Sequence, residues 1–210
     1  MLKLSQIYYS EETKALCFPQ SDLIDNTGKC TVFFENDILE TMILPDCDVF
    51  GCLSARFNQK TGITYQQIES VINSKPADFY IPFSKSKLNI YEKFKVWQPG
   101  SVDVFAEIVK RLNFKFTPNV APPVVFQNAF FAKKDTWEYY RNFYLEPFMN
   151  ELRGMETGTK VWGASKYIRI PAELNMSYVP LHAFVLEMLP SYFCQNEKLN
   201  IVHFNRHTRC

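Results

Sequence analysis

Four motifs that would name a chemistry outright are missing from this 210-residue chain. Without GxxxxGK followed by Ser or Thr there is no Walker-type phosphate cradle, and without GxGxxG no dinucleotide fingerprint. Without HExxH or GxSxG, the helix-borne zinc protease and the nucleophile-elbow hydrolase also fall away. Charge of one sign is missing too. Lys and Arg number 23 against 22 Asp and Glu, a formal +1, so no global field points to nucleic acid or an anionic membrane. Any phosphate recognition therefore has to be local. No apolar stretch approaches the roughly 20 residues that span a bilayer, and no signal peptide precedes the first strand-like run. The six cysteines, Cys17, Cys30, Cys47, Cys52, Cys194 and Cys210, form no CxxC pair and no zinc-like cluster with histidines. Reduced thiols in a cytoplasmic compartment are the expectation. Internal repeats and low-complexity tracts are lacking as well.

What is present is an ordinary globular composition, 47% hydrophobic and 21% charged. The aromatic share, 16%, is high, which suits a large core and also suits pockets that stack flat rings. Strand-like and helix-like runs alternate, so the expected fold is α/β: one Rossmann-like domain over residues 1–210, with a mixed central sheet flanked by helices. The ending Arg-His-Thr-Arg-Cys carries no evident final element, which suggests the N-terminal part of a longer protein.

Along the chain, Leu4–Tyr9 reads as a strand and Leu23–Gly28 as a turn-forming cluster. Phe33–Ile43 has helical spacing and ends before Pro45, and Asp48–Ser54 reads as a second strand. Thr64 is placed to cap a helix through Ser74 that buries Ile68, Val71 and Ile72. A short buried strand lies within Pro76–Ser84, and the basic segment Ser84–Lys87 reads as a lid or a packed loop. Ser101 is expected to cap a helix to about Leu112, and Asp135 a second, aromatic helix that Pro147 bends or ends. Gly154–Gly163 reads as loop and Tyr167–Ile170 as a short strand; a helical run follows over Leu181–Leu189, then a last strand over Leu199–Phe204.

Several residues stand out for their chemistry. Asp78 is the single charge in its apolar run: it is either a turn-capping acid after Pro76 or an oxygen ligand for a divalent ion. Arg56 and Lys60 stand four apart just past a strand end, either as a solvated loop or as a pyrophosphate clamp. Gln6, Tyr8 and Tyr9 end a strand whose carboxyl edge would face a ligand if the strand is central. Asn26 has the chemistry for a ribose or base contact, although turn formation alone explains it.

The segment Phe126-Gln127-Asn128-Ala129-Phe130-Phe131-Ala132-Lys133-Lys134-Asp135-Thr136-Trp137 resembles the strand-to-helix signature of retaining glycosyltransferases of the GT-A type. The blocks Tyr8–Glu12, Leu23–Thr27 and Leu53–Gly62 are similar to glycan-building transferases of bacteria and chlorella viruses that assemble surface and capsid glycans. The resemblance implies a UDP-sugar donor, a glycan or glycoprotein acceptor, Mn²⁺ or Mg²⁺, and retention in transfer of a hexose or deoxyhexose such as glucose or L-rhamnose. If the chain is viral, the compartment would be the host cytoplasm. The full DxD of the family is absent, since Asp78-Phe79-Tyr80 keeps one carboxylate, so besides Asp78 the metal would lean on the donor pyrophosphate, water and His203 or another group. On this reading Gln6, Tyr8 and Asn26 hold the uridine, Arg56 and Lys60 the pyrophosphate, and Asn128 the donor sugar. Glu187, the one acid in its apolar helix, serves the sugar centre or the acceptor hydroxyl with His182 assisting. The rivals are a carbohydrate-binding module without turnover and a nucleotide-sugar hydrolase.

Overall fold

Strands alternate with helices through the computed structural model, which describes residues 1–29, 33–83, 89–125, 128–155 and 181–204. The readings made for Ser84–Lys87, for Tyr167–Ile170, for residues 156–163 and for residues 126–127 of the signature lie outside the described residues. In chain order the elements are β1 (Leu2–Tyr8), α1 (Glu11–Lys14), β2 (Asp22–Asp25), α2 (Asn36–Thr41), β3 (Val49–Ser54), α3 (Phe57–Thr61), α4 (Tyr65–Ser74) and β4 (Phe79–Ile81). Then come α5 (Ile90–Trp97), α6 (Ser101–Arg111), β5 (Phe131–Lys133), α7 (Lys134–Tyr140), a π-helical turn (Arg141–Leu145), α8 (Glu146–Met155), α9 (Leu181–Glu187), α10 (Leu189–Asn196) and β6 (Ile201–His203).

The six strands form one mixed sheet in the order β2-β1-β3-β5-β4-β6. Every neighbouring pair is parallel except the two made by β5, which runs against β3 and β4. The alternation of side chains along each strand divides the core into two layers. Ile7, Phe50, Cys52, Phe79, Ile81 and Phe130 face the larger layer, which α6 to α10 cover. Leu4, Val49, Leu53, Tyr80 and Phe131 face the smaller one, with Ile68 and Ile72 of α4. Most of the aromatic content is this core. Phe130 stacks on Phe79 and on Trp137, both at 4.6 Å between ring centres, and the Trp137 indole N–H donates to the Phe50 carbonyl at 3.0 Å. The Phe131 ring covers β3 at Gly51, where a Cβ would lie 2.3 Å from its Cδ1, so no side chain fits there.

Local signals explain most of these elements. Thr64 and Gln67 form a reciprocal capping box that starts α4. At α6 the capping residue is Gly100 (φ 91°), and Ser101 is the first, fully buried residue of the helix. The Leu23–Gly28 reading is corrected in its first half, because Asp22–Asp25 is an edge strand paired with Ser5–Tyr8. Asp135 does not cap α7, which starts one residue earlier without a side-chain cap. Pro147 neither ends nor breaks the helix. It removes the amide an α-helix would send back to Phe143, and the π-turn just before it absorbs the change, with the Glu146 N–H reaching Arg141.

Candidate functional site

The order β2-β1-β3 makes β1 the point where the chain switches direction across the sheet. From β1 it crosses to one neighbour and from β2 it crosses back to the other. At the carboxyl end of β1 the two flanking segments hold to it separately. The Asn26 N–H donates to the Tyr8 carbonyl and the Ala55 N–H to the Ile7 carbonyl, each at 2.9 Å. A crevice between diverging segments at such a switch is where open α/β sheets take ligands.

On the β2 side, Tyr8 pairs in register with Asp25. Burial first, then the Asp25 charge, raise the Tyr8 phenol, while the Thr27 N–H at 2.9 Å holds the Asp25 carboxyl below its usual range. Asn26 is 5% exposed, and its Nδ2 has no hydrogen-bond partner among the described residues. A buried amide donor without an acceptor is costly unless a ligand supplies one.

Gln6 differs from what its position suggests. It is fully buried, its Oε1 accepts from the Phe18 N–H (2.6 Å) and the Ser21 hydroxyl (3.1 Å), and its Nε2 donates to the Ser54 carbonyl (3.2 Å). These bonds tie the loop after α1 to the end of β3, so Gln6 shapes the crevice from beneath and offers nothing to a uridine.

On the β3 side, the expected loop is a helical turn. Arg56 caps α3, Phe57 is buried beneath it, and the Lys60 N–H donates to the Arg56 carbonyl at 3.0 Å. Residues four apart on such a turn share a face, so the exposed Arg56 and Lys60 project together beyond the end of β3.

Glu187 comes to the same place from α9. Desolvation pushes its carboxyl up to about 7, the charge of Glu35 adds to the rise, and Lys60 opposes it. Glu35 also lies over β3: burial first, then the Glu35 charge, push the Cys52 thiol up. Beside it, Asn36 is buried and accepts from the Asn128 Nδ2 at 3.1 Å while donating to the Phe33 carbonyl at 2.9 Å. Asn128 takes a left-handed backbone (φ 53°), which Asn tolerates better than most residues, and its Oδ1 is buried without a partner among the described residues. The antiparallel register of β5 on β3 sets Asn128 alongside the carboxyl end of β3. Glu35 and Asn36 were hidden in the sequence as ordinary polar residues of an amphipathic run.

His182 does not join Glu187. Five residues apart on a helix are about 140° apart around its axis. His182 is fully buried with its ring edge-on to Phe33 at 5.3 Å, and burial lowers its pKa to about 4, so it is neutral near pH 7.

Asp78 and His203 are not brought together either. Asp78 lies at the amino end of β4, where its carboxylate accepts from Lys133 Nζ at 2.8 Å and from the Asn200 N–H at 3.0 Å. His203 pairs with Ile81 at the other end of β4, with Nδ1 3.1 Å from the Phe83 carbonyl. Three residues of strand separate them by about 10 Å, too far to share one ion. Among the described residues no group of three or more His, Cys, Asp or Glu is arranged to hold a metal. The donor set inferred for Mn²⁺ or Mg²⁺ therefore does not fit the ion.

A second cleft, of about 500 Å³, opens at the amino edge of the sheet, lined by Leu2, Asp48, Ile72, Ala77, Tyr80 and Lys133 among others. Cys17, Cys47, Cys52 and Cys194 are free thiols. No described helix is long and apolar enough to cross a membrane. The fold and the crevice thus define an α/β protein with a polar site at its strand-order switch. Comparison with protein families, curated proteins and solved structures finds no match for the chain.

Proposed function

We propose that the chain is a glycosyltransferase of the GT-A type, working in the cytoplasm on a nucleotide-sugar donor bound at the carboxyl ends of β1 and β3. The observation that carries the reading is the convergence there of a buried amide donor lacking an acceptor among the described residues (Asn26), two cations on one helical turn (Arg56 and Lys60) and a carboxyl raised to about 7 (Glu187). Tyr8 and Asn26 hold the uridine, Arg56 and Lys60 the pyrophosphate, and Asn128 the donor hexose or deoxyhexose. As the bond from the sugar C1 to the phosphate oxygen breaks, its electron pair leaves on UDP, where fixed positive charge lowers the barrier most. The acceptor oxygen bonds to C1, and Glu187 takes its proton. A carboxyl with a pKa near the working pH is suited to that role.

Titration calorimetry tests the reading, with UDP as ligand and GDP and CMP as controls. UDP-selective binding is expected, weakened about tenfold or more in Asn26→Ala. Transfer itself is read as UDP release from a UDP-hexose that rises when a glycan acceptor is added. Release indifferent to acceptor would favour a nucleotide-sugar hydrolase, and absence of any nucleotide binding would favour a carbohydrate-binding module.

A further inference from the structure

We infer that this site holds the donor pyrophosphate with Arg56 and Lys60 and without a divalent ion. The inference rests on the nucleotide-sugar reading and changes what that reading implies about charge. A diphosphate leaving group has to be neutralised where it departs, and a transferase can do so with a metal held by carboxylates or with fixed cations. The segment that leaves β3 beside the switch reads Ser54-Ala55-Arg56-Phe57-Asn58-Gln59-Lys60, with no acid in it.

That segment is also rigid by construction. The Ser54 carbonyl is held by Gln6, the Ala55 N–H by Ile7 and the Phe57 ring by the smaller core layer, and Gly62 (φ 71°) closes the turn after the Thr61 hydroxyl bonds back to Phe57. The backbone of one rigid turn thus carries both cations, Arg56 with a fork that matches two phosphate oxygens and Lys60 as a point charge.

The one carboxylate expected to bind a metal is engaged elsewhere. Asp78 is paired with Lys133 at the opposite edge of the sheet. Of the acids at the crevice, Asp25 accepts from the Thr27 N–H at 2.9 Å, and Glu187 feels the charges of both Glu35 and Lys60.

The test is UDP, UMP and uridine binding by calorimetry on protein stripped with EDTA, then with MnCl₂ or MgCl₂ in excess. UDP affinity is expected to agree within about twofold in all three conditions, and Arg56→Ala to lower it about 10- to 100-fold with uridine affinity unchanged. Lys60→Ala is expected to cost about tenfold, and wild-type UDP affinity to fall with salt while uridine affinity does not. Arg56→Gln and Lys60→Gln, checked by circular dichroism, separate lost charge from misfolding. UDP binding that needs Mn²⁺ or Mg²⁺ would overturn the inference and leave the transferase reading standing. If that metal-dependent binding vanished in Glu35→Gln, the ion would be assigned to the Glu35 and Glu187 pair. UDP affinity unchanged in both cation variants would overturn the inference as well. Absence of nucleotide binding in every condition would remove the inference and the transferase reading together.

Discussion

The two ends of the same sheet are built differently. At the amino edge three acids have partners: Asp78 has Lys133, Asp48 has the amino group of Met1, and Asp46 has Lys134 at 3.9 Å. At the carboxyl edge, buried polar atoms of Asn26 and Asn128 lack partners among the described residues, and Glu187 is held near neutrality. A fold rarely leaves buried hydrogen-bonding groups unsatisfied for its own sake, so the edge that carries them is the edge with a further task. A cleft of about 500 Å³ also lies among the described residues of the amino edge. Satisfaction of polar groups is the better guide here, because a cleft between satisfied groups offers a ligand little that water does not.

The strongest way to break this contrast is Glu187→Gln. If Glu187 takes the acceptor proton, the variant loses about 10²- to 10⁴-fold in turnover with UDP binding intact, and the wild-type rate rises with pH through about 7. Stability moves in the opposite sense. The folded protein keeps the Glu187 proton up to about 7, whereas the unfolded chain releases it near 4.5, so ionising this group costs the wild type stability across that window. Near pH 8, Glu187→Gln is therefore expected to be more stable by about 3 kcal/mol. His182 acts oppositely. Its folded pKa of about 4 lies below the ordinary 6.5, so the stability of the neutral ring is complete above 6.5 and is lost as pH falls toward 4. The two slopes offset each other in the wild type. Urea midpoints from about pH 4.5 to 8 should therefore show a steeper rise in Glu187→Gln than in the wild type.

A second pair of substitutions sharpens the contrast within the carboxyl edge. Gln6→Ala leaves the buried Phe18 N–H and the Ser54 carbonyl without their side-chain partner and should cost about 3 kcal/mol. Asn26→Ala removes a donor that has no acceptor among the described residues, so its unfolding midpoint should be no lower than wild type while its uridine affinity falls. Equal destabilisation by both would mean that Asn26, like Gln6, is part of the scaffold.

These residues also show what a sequence can disclose. Elements fixed by local chemistry were legible: α4 from Thr64, Ile68 and Ile72, and β3 from its apolar run. The edge strand β2 was not, because Asp22–Asp25 is largely exposed and carries turn-forming residues instead of an apolar alternation. In the site, the spacing of Arg56 and Lys60 carried its meaning locally. For Gln6 the strand is legible but the task is not, because its partners lie 12, 15 and 48 residues away. Glu35 and Asn36 gain significance only when α9 and the segment before β5 close over β3, and no local pattern marks that.

The smallest expected effect is the most discriminating. Asp78 drew attention as a lone acid in an apolar run, yet its partners are 55 and 122 residues distant, out of reach of any local reading. The Lys133 ammonium first, then the Asn200 N–H, hold its carboxyl below the usual range, so the stability it contributes is present above 3.8 and fades as pH falls below it. In Asp78→Asn an amide oxygen can still accept from the Asn200 N–H, and only a surface ion pair is lost, whose worth is small in solvent. The expected change in stability at neutral pH is within about 1 kcal/mol, vanishing in acid where the wild-type carboxyl is itself protonated. UDP affinity should be unchanged with EDTA or with MnCl₂. If Asp78→Asn instead abolished nucleotide binding while leaving the urea midpoint in place, the amino edge with its open cleft would be the working edge of the sheet. The Asn26 Nδ2 and Asn128 Oδ1, unpartnered among the described residues, would then be unexplained at the other edge.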